Sequence, residues 1–366
     1  MHNTPVLGTM NINYLYSSAN TNNTNAKNST NSNNTNIKNS TKNKELYQSI
    51  IETYLQRTGK HAILDSAYYY GNTKTEQILG DILPALSFIP KITTKVNPWY
   101  ENDFTNGKLG QLSKEGIQKQ LNTSLNNLKI DQVEILYLHC PDYETPIETT
   151  LETCNMLWRR EKFNHFGISN FSLDQLKEIL ELTEKQGYNS IKYYQGMYNL
   201  ISRKVEDIFP LLRENNIEFW AYNPLAGGLL TGKYRDFKNI DEINKNADNS
   251  RFKNNQIYQS IFWKPEIIEN QKIQDFFQLG NKKCIEYSYK WLQKNSKMNH
   301  TTDRIVIGCS NVEQLINSLD TIQNERITNT IETENEINEI NEINEINDLN
   351  NSLYKDIEKF SPNYYY

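Results

Sequence analysis

Eight short runs of apolar, β-branched or aromatic residues recur along this chain, at Val6–Met10, His61–Ser66, Ile89–Lys95, Val133–His139, His165–Asn170, Tyr193–Asn199, Glu218–Pro224 and Arg304–Ser310. Most of the stretches between them have helical spacing. Glu45–Arg57 puts Leu46, Ile50, Tyr54 and Leu55 on one face and stops before Gly59. Gly116–Leu128 repeats the stripe with Ile117, Leu121, Leu125 and Leu128, and Leu173–Leu182 with Leu173, Leu176, Ile179 and Leu180. Strand and helix in eightfold alternation predict an α/β chain closed as a (β/α)8 TIM barrel, a single domain. An open doubly wound sheet is the rival, but it favours a G-x-G-x-x-G turn after an early strand, and the sequence has none.

The chain has 366 residues, of which 37% are hydrophobic, and its mean hydropathy is −0.74. At ~150 residues per domain that length suggests two domains. Two biased tracts account for both the length and the polarity. Between Asn20 and Asn43, 19 of 24 residues are Asn, Ser or Thr. Such a tract cannot bury enough apolar area to offset its ordering entropy, so it is expected to be a disordered loop. Glu336–Asn347 is four copies of Glu-Ile-Asn, inside a low-complexity insertion spanning 332–350. One domain over 1–366 with insertions at 20–43 and 332–350 is therefore expected.

Composition also excludes function classes. A net charge of −5 without clustered Lys and Arg argues against nucleic-acid binding. No run approaches the ~20 apolar residues of a membrane span. The start Met1-His2-Asn3-Thr4-Pro5 has no signal-peptide character, so a cytoplasmic location is expected. Cys140, Cys154, Cys284 and Cys309 lie far apart, without metal-ligand spacing, so no metal site is expected.

In a barrel, chemistry sits where strands end and βα loops begin. The expected strand ends carry Asp65, Lys95, His139, Ser169 with Asn170, Asn223 and Ser310, with Gln195 inside the sixth run and Tyr70 five residues past the acid. Singly, each has a plain structural reading. A lone Asp or Lys at a strand end is usually solvated or caps a helix, and a lone His is more often a satisfied core residue. Tyr70 is one of 23 tyrosines. An acid, a base and an imidazole at three consecutive strand ends reverse those odds.

Asp65-Ser-Ala-Tyr-Tyr-Tyr70-Gly71, Thr94-Lys95 and Leu136-Tyr137-Leu138-His139-Cys140-Pro141-Asp142 resemble the motif set of the aldo-keto reductases. Leu7-Gly8-Thr9-Met10, Tyr194–Asn199, Ala221–Tyr234 and Pro362-Asn363-Tyr364 are similar to its aflatoxin-aldehyde and succinic-semialdehyde reductase branch. The resemblance implies NADPH-dependent reduction of a small aldehyde or ketone. Tyr70 would donate the proton, Lys95 would lower its pKa from ~10, Asp65 would hold Lys95, and His139 would orient the carbonyl. A regulatory nicotinamide-binding β-subunit of a channel is the alternative with the same fold, and a homodimer is a further implication.

The resemblance also implies the cofactor contacts. Ser169, Asn170 and Gln195 would hold the nicotinamide carboxamide, with Asp65 beside them. Asn223, Pro224, Leu225, Ala226, Gly227 and Gly228 would line the pyrophosphate, with Lys233 adding charge. Arg251 would reach the 2′-phosphate, and Gly308, Ser310 and Gln314 the adenosine phosphate at a helix start. Trp99 and Tyr258, beside His139, would wall the substrate pocket. Relatives carry Arg where this chain has Ile261 and Tyr366, and Asn where it has Ser318. Neither replacement offers a bidentate grip on a carboxylate, so weak activity on succinic semialdehyde is expected. Gly227-x4-Gly232-Lys233 narrowly misses a P-loop, because Tyr234 stands where a Mg²⁺-binding hydroxyl is needed.

Overall fold

A computed structural model describes residues 4–12, 32–237, 239, 241–242, 256–324 and 354. Eight parallel strands close into one barrel in sequence order. They are β1 (Val6–Gly8), β2 (Ile63–Asp65), β3 (Lys91–Val96), β4 (Val133–Leu138), β5 (Phe163–Ser169), β6 (Ile191–Met197), β7 (Glu218–Tyr222) and β8 (Arg304–Ile307). Closure comes from Val6 opposite Val306 and Leu7 opposite Ile307. All eight expected strands exist, shorter or shifted by one to three residues, because the ladder ends where the chain turns outward into each loop.

Helices α1 (Ser32–Thr58), α2 (Lys74–Ile82), α3 (Lys114–Leu128), α4 (Ile147–Arg159), α5 (Leu173–Gln186) and α6 (Phe209–Glu214) follow the first six strands. Between β7 and β8 lie α7 (Gln256–Phe262), α8 (Pro265–Ile268), α9 (Gln271–Gln278) and α10 (Asn281–Lys290), and α11 (Val312–Asn324) follows β8. The expected stripes are the buried ones: Ile117, Leu121, Leu125 and Leu128 on α3 pack inward. Sequence-encoded caps set the helix limits. Ser172 and Gln175 form a capping box at the start of α5, and Gly187, with φ of 61°, ends it.

One expectation needs correcting. Helix α1 begins at Ser32, so residues 32–43 of the tract expected to be a disordered loop are helical backbone. Elongating a helix already nucleated on the buried face of Tyr47, Ile50, Ile51 and Tyr54 costs far less than starting one. Residues 20–31 and the 332–350 insertion lie outside the described residues.

Two hydrophobic layers hold the barrel. The larger lies between strands and helices, and the smaller fills the barrel with Val6, Ile63, Ile135, Tyr137, Trp220 and Val306. Gly167 makes room for the Tyr137 ring, since a Cβ there would stand 2.5 Å from it. Near the opposite end from the strand tips, Asp303 accepts from Arg213 and from the Phe219 amide, tying α6 and β7 to the turn before β8.

Candidate active site

Parallel pairing brings Asp65 of β2 and Lys95 of β3 to the same end of the barrel. Alternation points residues 93 and 95 of β3 to one face. Lys95 Nζ donates to Asp65 Oδ2 at 2.7 Å, to the Ser66 carbonyl at 2.8 Å and to Tyr70 Oη at 3.5 Å. Asp65 Oδ1 accepts from Thr93 Oγ1 at 2.8 Å and from Gln195 Nε2 at 3.0 Å. Both members of the ion pair are buried, Lys95 completely. Burial pulls the ammonium below its ordinary pKa, and the adjacent Asp65 carboxylate opposes that pull. A buried pair persists only when its remaining lone pairs and protons are satisfied, which Thr93, Gln195 and Ser66 do here.

The Lys95 ammonium lies 5.1 Å from the centre of the Tyr70 ring and 5.7 Å from that of Tyr137. His139, at the tip of β4, meets Tyr70 edge-on with ring centres 5.9 Å apart. Burial, helped by the Lys95 charge, lowers the His139 pKa to about 3. The ring is therefore neutral, and its Nδ1 is enclosed without a hydrogen-bond partner. Trp99 stands 5.3 Å from His139, with Tyr69 and Phe104 completing an aromatic wall.

Asp65, Tyr70, Lys95, His139 and Trp99 thus converge, as the sequence reading expects. Ser169 and Asn170 end β5 beside them. Asn170 adopts φ of 64°, donates to the His139 carbonyl at 3.0 Å and accepts from Tyr222 Oη at 2.7 Å. Gln195 reaches the same centre, since its amide nitrogen already holds Asp65.

Beyond the centre runs a shelf of backbone. Ala226, Gly227 and Gly228 follow Asn223-Pro224-Leu225, with φ of 65° and 103° at the two glycines. A Cβ on Gly228 would stand 3.4 Å from Lys233 Nζ, so the glycine keeps the surface beside that exposed cation open. Exposed Gly308 and half-buried Ser310 lead into α11, where the Ser310 amide donates to Gln314 Oε1 at 2.9 Å. The shelf, with its cation, its glycines and a helix start, fits an extended anionic dinucleotide. Ser318 is buried and accepts from Tyr289 Oη at 3.2 Å, so it belongs to packing. Arg251 and Tyr366 lie outside the described residues, as does the Tyr258 side chain. Ile261 is buried.

Sequence reading missed Thr93, Tyr69, Phe104 and Tyr222. Thr93 was within reach, being two residues from Lys95 on the same face of β3. The aromatic wall was not, because Phe104 arrives from a loop whose path no spacing rule predicts. Among the described residues no group of His, Cys, Asp or Glu is arranged to hold a metal, and all four cysteines are buried and outside any disulfide. No described helix is long and apolar enough to cross a membrane.

Comparison with known proteins agrees with the barrel fold. The family model described as aldo/keto reductase matches residues 30–345. Aflatoxin B1 aldehyde reductase member 2 of Mus musculus is 36% identical over 281 residues, covering 74% of this chain and 73% of that protein. Its Homo sapiens counterpart is 35% identical over 74% of this chain and 75% of its own length. Aflatoxin B1 aldehyde reductase member 4 of Homo sapiens is 32% identical, covering 74% and 82%. A crystal structure of a thermostable aldo-keto reductase bound to the inhibitor epalrestat superposes with a TM-score of 0.55 at 20% identity, covering 94% of each chain, a likeness of fold. With the family model spanning most of its length and relatives above 30% identity, this chain belongs to the aldo/keto reductase family.

Proposed function

We propose that this protein reduces aldehydes or ketones to alcohols with NADPH, using Tyr70 as proton donor. Membership of the family supports carbonyl reduction with a nicotinamide cofactor. The finer reading is carried by one observation: a fully buried ammonium, Lys95, sits within reach of both a carboxylate and the Tyr70 hydroxyl. When bound, the dihydronicotinamide supplies the hydride that goes to the carbonyl carbon.

The chain's own residues handle the oxygen. Tyr70 gives its phenolic proton to the oxygen as the new C–H bond forms, leaving a phenolate. Lys95 stabilises that phenolate, so the proton leaves more readily than an ordinary phenol's would. Asp65, fixed by Thr93 and Gln195, keeps the ammonium aimed and charged. His139, neutral in its enclosed position, donates a hydrogen bond that aligns the carbonyl without adding a competing charge. Trp99 and Tyr69 offer an apolar wall to the rest of the substrate. The 2′-phosphate preference rests on Arg251, and Ser169, Asn170, Gln195, Lys233, Ser310 and Gln314 would hold the rest of the cofactor.

The test is oxidation of NADPH with 4-nitrobenzaldehyde. Tyr70→Phe is expected to lower kcat by about 10²–10⁴-fold while NADPH still quenches the protein's fluorescence. Equal, slow oxidation by wild type and variant sinks the assignment and favours a regulatory nicotinamide-binding protein instead.

A further inference from the structure

The mechanism above leaves one buried acid unused. Glu76 lies in the first turn of α2 and is completely enclosed. Its Oε1 accepts from Thr94 Oγ1 at 2.5 Å, and Thr94 is the residue before Lys95 on β3. The Ser124 hydroxyl on α3 lies against the same carboxyl. The same turn is continuous with the proton donor. The Thr75 amide donates to the Tyr70 carbonyl at 3.4 Å, and the Lys74 amide to the Gly71 carbonyl at 3.2 Å. Glu76 therefore joins the Tyr70 turn to the strand that carries Lys95.

An apolar side chain would fill this seam between helix and sheet at lower cost than a carboxyl. Thr94 from β3 and Ser124 from α3 bond the carboxyl, Tyr68 from the loop after β2 feels its charge, and Lys95, on the other face of β3, acts on it through space. Burial outweighs the hydrogen bonds and the Lys95 charge, and pushes this carboxyl up to about 7. Its charge thus changes around neutrality, across β3 from an ammonium already paired with Asp65.

We propose that Glu76 is a positioning residue for the proton-delivering pair, a second carboxyl whose charge state sets how much of the Lys95 charge is available to Tyr70. This inference rests on the reading of Tyr70 as proton donor. With Glu76 neutral, the ammonium faces one carboxylate and the phenol. Ionised Glu76 adds a second negative charge in a medium of low dielectric, which opposes phenolate formation. Tyr70 is then a weaker acid, and reduction slows as pH rises through the Glu76 transition.

Glu76→Gln preserves shape and an acceptor for Thr94 but cannot ionise. In wild type, kcat for 4-nitrobenzaldehyde should fall by about three- to tenfold with an apparent pKa near 7, while KM changes little. Glu76→Gln should lack that descending limb, so that its kcat above neutrality exceeds the wild-type value. Infrared difference spectra give a readout without turnover: a protonated-carboxyl band that titrates near 7 in wild type and is missing from Glu76→Gln. An identical limb in both proteins overturns the proposal, as does absence of the band at acidic pH. Should Glu76→Gln fail to fold, Thr94→Val serves. It removes a hydrogen bond that favours the ionised form and should move the limb to higher pH, and an unmoved limb overturns the proposal. Wild type with the titrating band but no carbonyl reduction at any pH would overturn the reductase reading, and the positioning role with it.

Discussion

At the scale of single residues, the site is a problem in buried charge. Lys95 tolerates full enclosure only because Asp65 opposes it at 2.7 Å and because Thr93, Gln195 and Ser66 satisfy what remains. Replacing Lys95 with Met should abolish reduction and also lower unfolding free energy by about 3–5 kcal/mol, since Asp65 would stay buried as an unpaired anion. Urea denaturation alongside the NADPH assay checks both. His139 makes the opposite prediction about protons. Its pKa is about 3 in the fold and near 6.5 in the unfolded chain. As pH falls through 6.5 the unfolded chain takes up a proton that the folded protein refuses until about 3, so stability is lost across that window. The loss is at most about 1.4 kcal/mol per pH unit for one proton. The denaturation midpoint should fall more steeply in wild type than in His139→Asn over that range. Parallel curves would mean that the folded ring takes its proton early.

Elements are held in register by a few polar clamps at fixed points. Asp303 is the clearest, because its carboxylate takes the Arg213 guanidinium, the Phe219 amide and the Asn299 amide at once. Truncation to Ala strands a half-buried guanidinium and a buried amide, so Asp303→Ala should cost about 2–4 kcal/mol in unfolding free energy. A loss near zero would show that water replaces the clamp. Much at this scale was readable from sequence. The α3 stripe and all eight strands follow from periodicity that operates within a few residues. The start of α1 was not readable. Asn, Ser and Thr lower helix propensity, but a nucleus further along the chain carries the helix back to Ser32.

For the whole molecule, the apparent polarity of the chain separates into a barrel of ordinary core composition and two biased tracts. Among the described residues, none of the groups around Tyr70 comes from residues 20–43. Thr9, which anchors the Asp65 carbonyl, precedes that segment, and the first buried face of α1 follows it. Deleting Asn20–Asn43 should therefore leave kcat within about twofold of wild type, a change below the scale of any lost catalytic contact. A loss of an order of magnitude would give the tract a part in catalysis.

By itself the sequence determined the barrel and three groups at its strand ends, Asp65, Lys95 and His139, while Tyr70, in the loop after β2, was singled out only by the family resemblance. Both follow from local rules: alternation dictates which face a strand residue takes, and in this architecture strand ends gather on one rim. Only the tertiary structure decided the rest. It set Gln195 against Asp65 across 130 residues of chain, brought Phe104 to the aromatic wall, and enclosed Glu76 behind Thr94. The reason is physical. Desolvation and hydrogen-bond partnership are properties of a residue's three-dimensional surroundings, and these decide whether a carboxyl is a surface charge or a buried proton store.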